Sequence, residues 1–298
     1  MPGYIRKFNI IVITVVLLSL IAVLAAPHTP VPYRLFEKEN GKFYITANTS
    51  SPVADSVKED AMRTAESLYG GNPAAVNDYF DQLVGIYQQC ASVQALIIFN
   101  AGGFGWDSVA DAQGWLTVME GIEDYLAGTG TKTLVVNFER TRSTLEGIIS
   151  EATAFWGVYP AKSNDLAARI SFLTRNLPDI KILLTGESNG ATIAEETFRR
   201  LQDNPRVFAI QTGPTVIQHN IKHERSLVLR NNGQIDDSFS HGDVFTILRS
   251  NLEAAIGINQ QYPGDILFYI GAPGHYYSWE FTEFRQEIIN FLEAWFSP

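Results

Sequence analysis

The chain has 298 residues, 46% hydrophobic and 18% charged, which is enough apolar material for a substantial core and excludes a disordered chain. Lys and Arg number 22 against 32 Asp and Glu, and the net charge of −10 argues against nucleic-acid binding, where phosphates call for clustered cations. One cysteine, Cys90, excludes an intramolecular disulfide framework and any multi-cysteine metal cluster, and it reads as a small buried hydrophobe at a helix end.

The N-terminus carries Arg6 and Lys7, followed by 19 uncharged residues from Phe8 to Ala26, broken only by Asn9, Thr14 and Ser19. A signal peptide has a shorter apolar stretch of about 7 to 15 residues, whereas a spanning helix needs roughly 20. Residues 1–26 therefore read as an uncleaved signal anchor, with a signal peptide cleaved near Val23-Leu24-Ala25 as the alternative. The positive-inside rule keeps Arg6 and Lys7 cytoplasmic and exports the rest, so the expected location is extracytoplasmic, membrane-anchored or secreted. Pro27, Pro30 and Pro32 make residues 27–32 a short stiff spacer.

Tyr33 to Thr46 reads as a hairpin turning at Asn40-Gly41. Two helices follow at Val53–Tyr69 and Ala74–Cys90, separated by Gly70-Gly71-Asn72-Pro73. Residues 33–94 are expected to join the same globular unit as the remainder, 95–298. From Ala95 onward, β-branched apolar runs stand at Ala95–Phe99, Thr133–Phe138, Lys181–Thr185, Val207–Gln211, Ser226–Arg230 and Ile266–Ile270. Helical stretches occur at Trp115–Leu126, Leu145–Trp156, Leu166–Asn176, Ala191–Gln202, Val244–Ile256 and Phe281–Phe296. Short continuous apolar strands alternating with amphipathic helices predict a doubly wound α/β domain, its mostly parallel sheet covered on both faces. In such sheets ligands bind at the carboxyl ends of the strands.

Chemistry-bearing residues stand at those ends. After Ile182–Thr185 comes Gly186-Glu187-Ser188-Asn189-Gly190, then a helix. A Gly-x-Ser-x-Gly on a strand-to-helix turn is a nucleophile elbow, so sharp that the neighbours of the serine must lack bulk. The acid and then the histidine should follow. Asp236 stands in the loop after Ser226–Arg230 and is the expected acid, with Asp237 and Asp243 left open. His275 stands in the loop after Ile266–Ile270. After Ile97-Ile98-Phe99, the glycine-rich run Asn100-Ala101-Gly102-Gly103 can bring backbone N–H groups to a substrate carbonyl. One oxyanion donor is expected from Gly102 or Gly103 and the other from Asn189. His219 and His223 have the spacing of a helical metal site, but near Pro214 in polar surroundings they read as solvated loop histidines.

On these residues the chain resembles an α/β-hydrolase over roughly Ala95 to Phe296. The resemblance implies Ser188 as nucleophile, His275 as general base and then acid, Asp236 orienting the imidazole, and an acyl-enzyme hydrolysed by water. It departs from the family in having Asn100-Ala101 where many members have His-Gly. Only twelve residues, Pro214 to Arg225, occupy the region where a substrate-covering cap is usually inserted, so no large cap is expected.

The function expected is a serine hydrolase acting on a small-molecule or lipid-like ester, or less favourably a thioester or amide, with no metal or organic cofactor. Acyl transfer at the same site and a non-catalytic binding module on the same fold are the competing readings. Phe104, Trp106, Tyr276, Tyr277 and Trp279 bracket the site in sequence, as an apolar pocket or platform would require.

Overall fold

The computed structural model describes residues 41–43, 52–141, 144, 147, 151, 159–216, 222–255 and 271–296. Their strands are β1 (Lys42–Phe43), β2 (Ala95–Asn100), β3 (Thr133–Glu139), β4 (Lys181–Glu187), β5 (Val207–Thr212) and β6 (Ser226–Leu229). Their helices are α1 (Asp55–Tyr69), α2 (Pro73–Cys90), α3 (Gln113–Gly128), α4 (Pro160–Asn176), α5 (Asn189–Arg200), α6 (Val244–Ala255) and α7 (Thr282–Phe296).

The strands form one sheet in the order β1-β3-β2-β4-β5-β6. β1 pairs antiparallel with β3, Lys42 opposite Glu139 and Phe43 opposite Phe138, and the other neighbours are parallel. Every residue of β2 and β5 is buried, which explains why these runs are apolar throughout rather than alternating. The pleat sends alternate side chains to opposite faces. Leu96, Ile98, Ile182, Leu184, Val207 and Ala209 join a core built with α1, α2, α4 and α5. Ala95, Ile97, Phe99, Leu183, Phe208 and Ile210 join a second core under α3 and α7. This is the doubly wound, mostly parallel architecture of the α/β-hydrolase fold.

The elements follow the sequence reading to within two residues at their ends, with one larger departure at the start of α4. β4 runs two residues beyond Thr185, through Gly186 and Glu187, because both still pair with β5. Helix α4 begins at Pro160, six residues before the expected Leu166. Proline suits a first helical position. The added turn has no apolar periodicity because its buried residues include Lys162 and Asp165, which are ion-paired to Glu151 and Arg169, and Ser163, which donates to Tyr159 O.

Residues 1–32, most of the hairpin at 33–46 and the strand at Ile266–Ile270 lie outside the described residues, and of Leu145–Trp156 only Gly147 and Glu151 are described, both helical. Among the described residues no helix is long and apolar enough to cross a membrane. Cys90 is buried at the end of α2, and burial pushes its thiol up to about 12.

Candidate active site

The elbow is built as its glycines require. Ser188 joins β4 to α5 with φ 51° and ψ −121°, a left-handed backbone that costs a non-glycine residue about 1–3 kcal/mol. The Ser188 N–H donates to the Thr212 carbonyl at 2.9 Å, and its own carbonyl accepts from Ala191 N at 3.1 Å. A Cβ on Gly186 would run into the Gly190 carbonyl, and a Cβ on Gly190 would run into the carbonyl oxygens of Asn100 and Ala101. The first turn of α5 therefore sits against both β4 and the end of β2 only because neither position has a side chain.

The imidazole is placed by a second tight approach. Gly274 has φ +83°, and a Cβ there would strike the Asp236 carbonyl and lie 2.8 Å from Asp237 Cα. Two further bonds tie the loops together: Asn232 Nδ2 donates to Tyr276 O at 3.0 Å and Ser238 N to Pro273 O at 2.9 Å. His275 Nδ1 then lies 2.8 Å from Asp237 Oδ2.

The carboxylate on the histidine is thus Asp237, not the expected Asp236. The β-bridge between Asn231 and Asp236 leaves the Asp236 side chain exposed. The next residue, tied by its N–H to Arg230 O at 2.9 Å, turns inward and is wholly buried. Asp243 is elsewhere, accepting from Thr246 N at 3.0 Å and Thr246 Oγ1 at 2.6 Å at the start of α6.

Asp237 also accepts from Tyr277 OH at 2.7 Å, Ser240 Oγ at 3.0 Å, and the N–H groups of Phe239 and Ser240 at 2.9 and 3.1 Å. Burial works to raise its pKa, but the hydrogen bond and charge of His275, with Tyr277 and the Ser240 N–H, outweigh it. The carboxyl is held below its ordinary value. An imidazole that donates from Nδ1 to a carboxylate presents Nε2 as its base.

Strand β5 brings the two halves together. Thr212 receives the Ser188 N–H, and a Cβ on the next residue, Gly213, would lie 2.6 Å from His275 Cε1 and 2.8 Å from Nδ1. The glycine-rich loop closes from the β2 side. A Cβ on Gly102 would lie 3.3 Å from Ser188 Cβ and 3.3 Å from Glu187 Oε1. Gly103 O accepts from Asn189 Nδ2 at 3.0 Å, and Asn189 opens α5, where the first amides of a helix have no intrahelical partner.

Glu187, passed over in the sequence, accepts the Gly102 N–H at 3.4 Å. Burial pushes its carboxyl up, and the opposing effects of His275, the Gly102 N–H and Arg140 do not cancel the rise. Its place beside the serine is the one signal that the sequence offers for it. Tyr277, read as part of an apolar pocket or platform, is buried and donates to Asp237. Trp279 packs over Gly121 of α3.

Phe104 and Trp106 stack with centroids 4.8 Å apart at the end of the glycine-rich loop, and Phe239 meets the His275 ring edge-on at 4.8 Å. His223 packs on Phe198, and its Nδ1 accepts from Arg225 N at 3.1 Å. His219 lies outside the described residues. Among the described residues no group of three or more His, Cys, Asp or Glu could hold a metal ion.

No protein-family model and no curated protein matches the chain. Solved structures similar to it at a distance include a cutinase, an iminopeptidase-related protein and a thioesterase. A Trichoderma reesei cutinase bound to a phosphonate inhibitor aligns at 14% identity and TM-score 0.40, over 84% of this chain and 94% of the cutinase. A proline iminopeptidase-related protein from Thermus thermophilus aligns at 22% identity and TM-score 0.25, over 42% of this chain and 38% of its own. YbtT, a type II thioesterase of the yersiniabactin pathway, aligns at 18% identity and TM-score 0.24, over 56% of this chain and 60% of its own. These distances are too great for function to carry over, so the chemistry has to follow from this chain's own residues.

Two outcomes follow from the pairings. Asp237→Asn lowers kcat on an activated ester by roughly 10⁴-fold, because the imidazole loses its orienting charge, while Asp236→Asn stays within about threefold of wild type. Steady-state kinetics of the two variants side by side decide it; the reverse order would return the role to Asp236. For Glu187, the raised pKa means that the folded state binds the proton more tightly, so its contribution to stability is full at low pH and is lost as pH rises through the folded value. Glu187→Gln removes that cost. In urea melts the variant unfolds at higher denaturant than wild type at pH 7–8, and the gap closes below about pH 4. A gap that widens on acidification contradicts the assignment.

Proposed function

We propose that the chain is a serine hydrolase that cleaves a carboxylic ester through an acyl-enzyme on Ser188. The observation that carries this reading is the His275–Asp237 pair, lying against Gly213 one residue from the carbonyl that holds the Ser188 amide.

In this mechanism His275 Nε2 takes the proton from Ser188 Oγ as the oxygen adds to the ester carbonyl. Asp237, ionised across the neutral range, stabilises the imidazolium that forms. The tetrahedral oxyanion is met by the Gly102 or Gly103 N–H and by the Asn189 N–H. The Gly102 N–H rests on Glu187 by a long contact, which a developing oxyanion replaces. Collapse breaks the C–O bond to the alcohol, which leaves with the proton carried by His275. Water, deprotonated by the same imidazole, then adds to the acyl group and releases the acid, restoring Ser188. Thioesters undergo the same steps, and an acceptor other than water would turn them into acyl transfer. The stacked Phe104 and Trp106 supply apolar surface beside the loop for a lipid-like or aromatic acyl or alcohol group.

A fluorophosphonate probe tests the reading. Wild type gains one covalent adduct, mapped to Ser188 by peptide mass, and Ser188→Ala gains none. A wild type inert to saturating probe, or equal labelling of the variant, would sink it.

We further infer that the domain works outside the cytoplasm, on the support of Arg6 and Lys7 preceding the uncharged run Phe8 to Ala26. An alkaline phosphatase joined to the C-terminus, which folds only in an oxidising compartment, is expected to be active in intact bacteria. An inactive fusion of full length places the domain inside.

A further inference from the structure

A buried charge cluster stands behind the glycine-rich loop. Arg140, one residue past β3, has no exposed surface. Its Nε donates to Glu151 Oε1 at 2.7 Å, while Lys162 Nζ donates to Glu151 Oε2 at 2.8 Å and to Thr141 Oγ1 at 2.9 Å. Burial works against both charges of the Arg140–Glu151 pair, yet each partner holds the other ionised: the Glu151 carboxyl is held below its ordinary value and the guanidinium above its own. Burying such a group stabilises a fold little compared with apolar residues of the same volume, so its place calls for another explanation.

The donors of Arg140 that Glu151 does not take are turned on the loop. Its Nη1 donates to the Ala101 carbonyl, and its Nη2 reaches Gly103 O at 2.8 Å and Gly102 O at 3.5 Å. The Arg140 N–H donates to Gly105 O at 3.0 Å. Gly105 itself, at φ +75°, lies so close that a Cβ would enter the guanidinium group. The loop is thus wrapped around this one planar fork.

The consequence is geometric. In a trans peptide the C=O and the following N–H point in opposite directions, and no cis bond occurs among the described residues. Drawing the Ala101 carbonyl back to Arg140 turns the Gly102 N–H to the other side, where it meets Glu187 next to Ser188. The Gly102 carbonyl is drawn to the same side by the Gly105 N–H at 3.1 Å, with Arg140 Nη2 further off at 3.5 Å, and this turns the Gly103 N–H the other way. We propose that Arg140 is the positioning residue of the oxyanion loop, holding the Ala101 carbonyl directly and the Gly102 carbonyl together with Gly105, whose own carbonyl it binds, so that the Gly102 and Gly103 amides face the nucleophile. The proposal rests on the serine-hydrolase reading above.

Arg140→Lys keeps the charge and the Glu151 pair but loses the fork. On an activated ester it is expected to lower kcat roughly a hundredfold, the cost of losing one oxyanion donor, with KM within about threefold. Phosphonylation of Ser188 slows by a similar factor. Lys162→Met disturbs the same cluster without touching the loop, so it lowers the urea midpoint but keeps kcat within about threefold. A kcat for Arg140→Lys within threefold of wild type, or a parallel loss in Lys162→Met, overturns the proposal. Should Arg140→Lys not fold, Gly105→Ala crowds the guanidinium without changing any charge and is expected to show the same kcat-selective loss; an unchanged kcat counts against Arg140. A wild type that takes no probe overturns the hydrolase reading alone. The backbone amide resonances of Gly102 and Gly103 then still decide whether Arg140 sets the loop: displaced in folded Arg140→Lys it does, unmoved it does not.

Discussion

The end of β5 is the joint on which the site turns. Thr212 takes the amide of the serine on its carbonyl, and Gly213, bending at φ +57°, lies flat against the imidazole. Two consecutive residues thereby join loops that are more than eighty positions apart in the chain. A side chain at Gly213 would press on His275 and Asp237 together, so the histidine–carboxylate pair and its nearness to the elbow are a single steric arrangement. The neighbouring Thr212 hydroxyl is fixed in turn by Trp115 Nε1 at 2.9 Å, which carries the constraint into α3.

A serine held in a left-handed conformation persists only where its surroundings over-determine it. Here they do so through rigid neighbours: β2 and β5 are buried along their whole length, and β4 between them pairs with both up to the residues of the elbow. The apolar core and the reactive turn are therefore linked by backbone contact, since α5 can begin where it does only by resting on the carbonyls at the end of β2.

Much of this was legible in the chain. Continuous apolar runs marked the strands because burial on both faces removes alternation, and glycines at 186 and 190 announced the elbow because nothing larger fits. His275 is legible from its place in the loop after the apolar run Ile266–Ile270. Choosing Asp236 over Asp237 failed for a reason of parity: adjacent residues in an extended segment face opposite ways, and the bridge from Asn231 to Asp236 decides which one faces inward. Spacing from Gly233 does not contain that information. Arg140, Glu151 and Lys162 were silent because they are polar residues in positions that pattern reading assigns to solvent, and only their meeting in three dimensions makes them interior. The early start of α4 is hidden in the sequence for the same cause.

The packing of Gly105 beneath the guanidinium has a bearing on how such a chain can change over time. The two positions exclude one another's alternatives: a methyl group at 105 and a fork at 140 cannot occupy the same space. A descendant with a bulkier residue at 105 must first displace the guanidinium from the loop, while Lys162 and Glu151 can keep their own pair, so positions 105 and 140 are bound to change together.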